Sequence, residues 1–199
     1  MERHSALHGR HLEAQASMTT FAGWRLPASY PGVYNDPSVE MSEVRTAVGL
    51  SDASYLTKLD LRSTLTVALP ARLWQLTPGR GLITSPQPLT YEPSSFITDV
   101  TSVYSAILLA GPTSRELLQK LTTLNVRESA MPDGSARQTR LAHVNAIVLR
   151  LDHSGLPGFL ILNTRDVAEH VWDSLSHLGA RPFGLLAQQL WMGVSHGNA

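Results

Sequence analysis

The chain predicts an α+β fold, with helices packed on mostly antiparallel sheets. Three observations carry that reading. Residues 55–61, Tyr-Leu-Thr-Lys-Leu-Asp-Leu, alternate with the period of a half-buried strand. The second half of the chain runs strand, helix, strand, strand, strand, helix. Apolar residues make up 43% of 199, enough for a core that stands alone.

In chain order, residues 2–17 predict a short helix with Leu7, Leu12 and Ala16 turned inward. Pro27 and Pro31 hold the residues before them out of the helical region, so residues 24–30 are expected to be extended. Asp36 followed by Pro37 reads as an N-cap with proline at the first helical position. Val39, Val44, Ala47 and Val48 give that helix an inward face, and Gly49 offers its stop. Beyond the alternating strand, residues 69–76 predict a short helix opened by Pro70. Pro78, Gly79, Gly81, Pro86, Pro88 and Pro93 mark residues 63–97 as a loop-rich connector. A soft boundary there divides an N-terminal part, residues 1–97, from an α+β second part, residues 98–199.

The second part is clearer. Residues 104–110 form a buried strand. Thr113 and Glu116 have capping-box spacing ahead of a helix with Leu117, Leu118, Leu121 and Leu124 on one face. Residues 137–142 and 146–152 predict a hairpin turning near His143-Val144-Asn145. Residues 158–162 add a strand. Thr164 or Asp166 then caps a helix carrying Val167, Val171, Trp172, Leu175 and Leu178, closed by Gly179.

Composition narrows the function. Lys plus Arg equals Asp plus Glu at 16 each and no basic run occurs, which argues against nucleic-acid binding. The longest apolar stretch, residues 106–110, is far too short to span a bilayer, and the N-terminal residues lack a signal-peptide core. A cytoplasmic protein is expected. With no cysteine there is no disulfide framework and no thiolate metal site. His4, His8 and His11 have helical spacing, but no carboxylate pair supports them, so a solvated helix face is expected and no metal. Gly79-Arg80-Gly81 lacks the spacing and the lysine of a phosphate loop. Only 16% of residues are charged, and a surface so poor in charge points to coverage by another chain or by self-association.

Two segments carry a family resemblance. Residues 21–32 read Phe-Ala-Gly-Trp-Arg-Leu-Pro-Ala-Ser-Tyr-Pro-Gly, and residues 49–56 read Gly-Leu-Ser-Asp-Ala-Ser-Tyr-Leu. They resemble the F-A-G-W-x-M-P-x-x-Y and G-L-x-D-V-S-H-x-G-K segments of the folate-dependent aminomethyltransferases, the T-protein family of the glycine cleavage system. Arg25 stands where that family usually has an acid, and Tyr55 where it has a histidine. Ala110-Gly111-Pro112 is similar to the family's Q-G-P step, residues 153–160 to its Y-T-G-E-x-G-F-E segment, and residues 175–187 to its A-L-x-x-x-G-A-x-P-x-G-L-x-A stretch. The resemblance covers residues 5–62 and 98–192. A full T-protein adds a C-terminal barrel that this pattern lacks, and the length is closer to the gamma subunit of heterotetrameric sarcosine oxidase.

The resemblance implies tetrahydrofolate in a central hole, an assisting aspartate in the middle segment, and acids and an arginine holding the pterin and its tail. The D-D-x-x-V strand that would supply the aspartate is missing, and Asp99 reads as a turn residue. Leu156 and Leu160 stand at the two acidic positions, Met192 at the arginine and Val194 at the following glutamate. A leucine cannot accept a hydrogen bond, and each ligand donor left unpaired costs about 1–3 kcal/mol. No catalytic residue is therefore expected, and Tyr30, Tyr55 and Leu156 are the candidate cofactor-lining positions. Phe21 and Trp24 read as core anchors. Tetrahydrofolate is expected to bind weakly and no cofactor tightly. The implied role is an accessory subunit that packs against a larger flavin- and folate-containing oxidoreductase subunit. The alternatives are a small tetrahydrofolate-dependent aminomethyltransferase and a free-standing ligand-binding protein on the same fold.

Overall fold

The computed structural model describes residues 2–34, 36–62, 71–91 and 96–191. The chain opens with β1 (Arg3–His4), α1 (His8–Glu13), β2 (Ser17–Phe21) and β3 (Trp24–Ser29), and its three strands form a sheet in the order β1-β3-β2. The helix expected over residues 2–17 is thus a short one between strands, because residues from Ser17 onward pair with β3 across the Ala22-Gly23 turn. Its buried residue is His11; Leu12, expected inside, is 55% exposed.

Helix α2 (Pro37–Thr46) begins as the sequence predicts, with Asp36 accepting a hydrogen bond from Ser38 N at 2.9 Å. Its inward face carries Val44 and the carboxylate of Glu40, while Val39 is exposed. Strand β4 (Gly49–Asp52) follows. Gly49 is there for close approach: a Cβ would lie 2.6 Å from both Phe183 and Val44.

Strand β5 (Thr57–Leu61) matches the alternating segment. The helix expected over residues 69–76 is instead β6 (Arg72–Thr77), and the expected connector contains β7 (Arg80–Ser85) as its hairpin partner. Leu69, Pro70 and Pro93 lie outside the described residues. In physical terms, Trp74 points inward and Leu73 outward, a period of two. Pro78 and Gly79, the latter at φ 76°, form the tight turn that the sequence reading took for a connector. With β8 (Ile97–Asp99) these strands make a four-stranded antiparallel sheet, β6-β7-β5-β8.

The largest sheet has six strands in the order β10-β11-β12-β9-β4-β13: β9 (Tyr104–Ala110), β10 (Ala136–Leu141), β11 (Val144–Arg150), β12 (Gly158–Thr164) and β13 (Arg181–Pro182) join β4. All pairings are antiparallel except β13 with β4. The β10–β11 turn is two residues, Ala142 and His143, both in the left-handed region (φ 47° and 70°), as the twist of a tight hairpin demands.

Alternation along β12 sends Phe159 and Ile161 to one face and Leu160 and Leu162 to the other. On the first face lie α3 (Ser114–Gln119) and α4 (Ala168–His177), with Leu117, Leu118, Val171 and Leu175 buried. The second face shares a core with Trp24, Trp74, Leu82 and Trp191, the last from α5 (Leu185–Trp191). Both faces are covered, so β12 reads as a continuous apolar run. The capping box at Thr113 does not close, since its side chain makes no cap hydrogen bond. Neither Thr164 nor Asp166 caps α4, which starts from a single 3₁₀ turn at Arg165–Val167. Among the described residues no helix is long and apolar enough to cross a membrane.

Candidate functional site

The polar chemistry of this chain is buried where α1, β3, α2 and β4 meet. Asp52, at the end of β4, accepts from His11 Nε2 at 2.9 Å, and Tyr30's hydroxyl lies 2.9 Å from His11 Nδ1. With its proton on Nε2, the imidazole donates to the carboxylate on one side and accepts a hydrogen bond from the phenol on the other. All three side chains are closed to solvent. Ser54 N donates to the second Asp52 oxygen at 2.9 Å. Burial pushes the Asp52 carboxyl up, but the hydrogen bonds from His11, Ser5 and Ser54 outweigh it and hold the group below its ordinary range. Burial and the Asp52 charge push the Tyr30 phenol well up, so it stays a hydrogen-bond donor.

Glu40 performs a second bridging task. Its two oxygens accept from Tyr30 N at 2.5 Å and from Gly184 N at 2.8 Å, tying α2 to the end of β3 and to the approach to α5. Burial raises its pKa, opposed by those two backbone donors. Each oxygen thus already accepts one backbone donor from inside the fold.

Lys58 is also buried. Its Nζ donates to the carbonyls of Leu56 (2.7 Å) and Ser54 (3.0 Å). Burial lowers its pKa from 10.5 to about 8, against the pull of Asp52 and Asp99. The sign of the consequence is fixed: between the folded and unfolded values only the unfolded chain holds the proton, so stability rises with pH across that interval. From about pH 8 to 9.5 the gain is expected to be roughly 1–2 kcal/mol in urea unfolding, and Lys58→Met should abolish it. Equal slopes in the two proteins would place the ammonium in water. Above about pH 10 the raised tyrosine pKa values act in the opposite direction.

Tyr55 is buried by β4 and packs edge-on to Phe21 at 5.0 Å. It lines a cleft of about 350 Å³ with Trp24, Thr57, Tyr91, Asp99 and Thr101. Asp99 is exposed at the end of β8 and accepts from Thr101 N at 2.8 Å, the geometry of a turn. Trp24 is 3% exposed, and Phe21 is half-buried against the same core.

The three candidate cofactor positions do not converge on one cavity. Tyr30 and Tyr55 both feel the Asp52 charge, but the Tyr30 hydroxyl is engaged with His11. Leu156 sits in a reciprocal backbone turn with His153, beyond the start of β12. Leu160 is buried at 2% within β12. Met192 and Val194 lie outside the described residues. The rings of His4 and His8 lie 4.2 Å apart, tilted by 41°, while His11 turns inward to Asp52, so the three histidines do not face one point. Sequence reasoning missed His11, Asp52, Glu40 and Lys58 as a buried set. The available signal was a lone charge at a position whose helical or strand neighbours are apolar, as at Lys58 between Leu56 and Leu59.

Comparison with known proteins follows the same lines. The GCVT N-terminal domain model matches residues 84–191, more than half of the chain. The chain is 24% identical to an aminomethyltransferase of Desulforamulus reducens, over 94% of its own length and 62% of the relative's. It is 25% identical to that of Saccharopolyspora erythraea, over 92% and 61%. It therefore spans about three-fifths of the length of these curated relatives. Among solved structures, the glycine cleavage aminomethyltransferase T of Bartonella henselae superposes with TM-score 0.73 at 18% identity, over 96% of this chain and 62% of that one. A chain of heterotetrameric sarcosine oxidase from Corynebacterium sp. U-96 superposes with TM-score 0.54 at 18% identity, over 74% of this chain and 97% of that one. Matching sheet architecture and a family match over most of the second half together place the chain in the GCVT N-terminal domain family, the folate-binding aminomethyltransferase superfamily.

Proposed function

We propose that this chain is a non-catalytic accessory subunit of a folate-linked one-carbon enzyme complex of the sarcosine-oxidase kind, packed in the cytoplasm against a larger flavin- and folate-containing subunit. The observation that carries the reading is Leu160. At the position where the resemblance implies a pterin-binding acid, an apolar side chain is buried in a core it shares with Leu149, Leu162 and Trp191. The remaining buried acids, Asp52 and Glu40, are consumed by internal donors. A chain of a heterotetrameric sarcosine oxidase superposes on 74% of this chain, which supports the subunit reading. Leu186 and Leu190, one turn apart on α5, are exposed and supply apolar surface for a partner.

Titration calorimetry with tetrahydrofolate tests the reading directly. No binding tighter than about 1 μM is expected, and a sub-micromolar dissociation constant, about −8 kcal/mol or better, overturns it. The second reading, a small tetrahydrofolate-dependent aminomethyltransferase, rests on Asp99, an exposed carboxylate in the Tyr55 cleft. Tight folate binding that Asp99→Asn leaves intact while turnover is lost would establish it.

A further inference from the structure

We propose that Arg3, His4 and Arg165 form a binding site for a small oxyanion, a phosphate or carboxylate group, over the indole of Trp24. The proposal is independent of the folate reading. The Arg3 guanidinium carbon lies 5.8 Å from the Trp24 ring centroid and that of Arg165 lies 6.0 Å away, so one indole holds two cations. They border a cleft of about 520 Å³ lined by Glu2, Arg3, His4, Trp24, Ser102 and Arg165.

The positions are set by backbone. Arg3 pairs with Trp24 in the parallel β1–β3 ladder, and Arg3 N donates to Gly23 O at 2.9 Å. Arg165 Nη2 donates to His4 O at 3.0 Å, which holds the far guanidinium over the cleft. Trp24, as the floor, is buried and fixed.

Among the described residues neither Arg3 nor Arg165 has a carboxylate within ion-pair distance. The one acid on the rim, Glu2, accepts a hydrogen bond from the Thr20 hydroxyl. The Arg165 charge reaches the interior: it lowers the Lys58 ammonium slightly, beyond the larger effect of burial and against the pull of Asp52 and Asp99. Two like charges held around one ring repel each other, and an oxyanion between them relieves that repulsion. Guanidinium forks also match the geometry of phosphate and carboxylate oxygens, and the Ser102 hydroxyl adds a donor. With formal net charge zero and no basic run, the patch suits a small anion rather than a nucleic-acid backbone.

The test is a titration followed by the indole N–H resonance of Trp24, assigned by its absence in Trp24→Phe. Inorganic phosphate and succinate are the two probes, at constant ionic strength. At least one is expected to shift that resonance saturably with a dissociation constant on the order of 1 mM. Preference for phosphate identifies a phosphate ester as the natural group, and preference for succinate a carboxylate. Arg3→Gln and Arg165→Ala should each weaken binding about tenfold or more, with Arg3→Lys intermediate because it keeps the charge and loses the fork. Should Arg165→Ala melt early through loss of the tie to His4, Arg3→Gln carries the comparison. No saturable shift with either probe up to about 50 mM, or shifts unchanged in Arg3→Gln, would overturn the proposal.

Discussion

Asp52→Ala is expected to cost about 3–5 kcal/mol of folding stability. The carboxylate gathers donors from His11 and from Ser54, and its removal strands both in a region closed to water. The His11 ring, fully buried, then keeps only its Tyr30 contact. Asp52→Asn should cost less, because an amide oxygen still accepts from one side. Because the folded carboxyl lies below its ordinary range, this stabilisation is fully present above about pH 4 and is lost as pH falls through the folded value. Urea unfolding at neutral pH gives the size of the effect, and the difference between wild type and Asp52→Asn should shrink as the solution is acidified. A cost below about 1 kcal/mol for the alanine variant would mean that the His11–Asp52–Tyr30 set is solvated.

Trp24→Ala is expected to cost about 3–5 kcal/mol as well, by a different route. The ring anchors β3 to the core shared by the sheets and is 3% exposed. Truncation leaves a cavity that strands pinned on both sides cannot close. Trp24→Phe retains most of the packing and should cost less than half as much. A change below about 1 kcal/mol for alanine would place the ring at the surface, with two arginines as its cover rather than its neighbours.

Much of the fold was legible because local chemistry and tertiary role agree at those positions. Asp36-Pro37 caps α2, the 55–61 alternation gives β5, and the apolar runs give β9 and β12. The misreadings have physical causes. Residues 69–76 and the prolines and glycines after them were read as helix and connector because turn residues were weighed above the period-two placement of Leu73, Trp74 and Gln75. Position 12 was read as core because leucine usually is, whereas the sheet beneath α1 offers a carboxylate, and His11 is the residue that can meet it. The candidate site was less legible than the fold. A family pattern marks candidate ligand-lining positions, but it does not reveal that Tyr30 is engaged by a histidine nineteen residues earlier in the chain.

The position of β4 has a kinetic consequence. Gly49 pairs with Ala110 on one side and with Arg181 on the other, so the strand lies between partners that emerge from the ribosome much later. Until β9 is made, β4 has neither neighbour, and its second edge waits for β13. Most of the stabilising contacts in this sheet join residues far apart in sequence, and loop-closure entropy has to be met before they contribute. Folding is therefore a late event, on the millisecond-to-second scale typical of non-local β topologies. During synthesis the unpaired edges of β4 stand open to whatever chaperone or neighbouring chain is near.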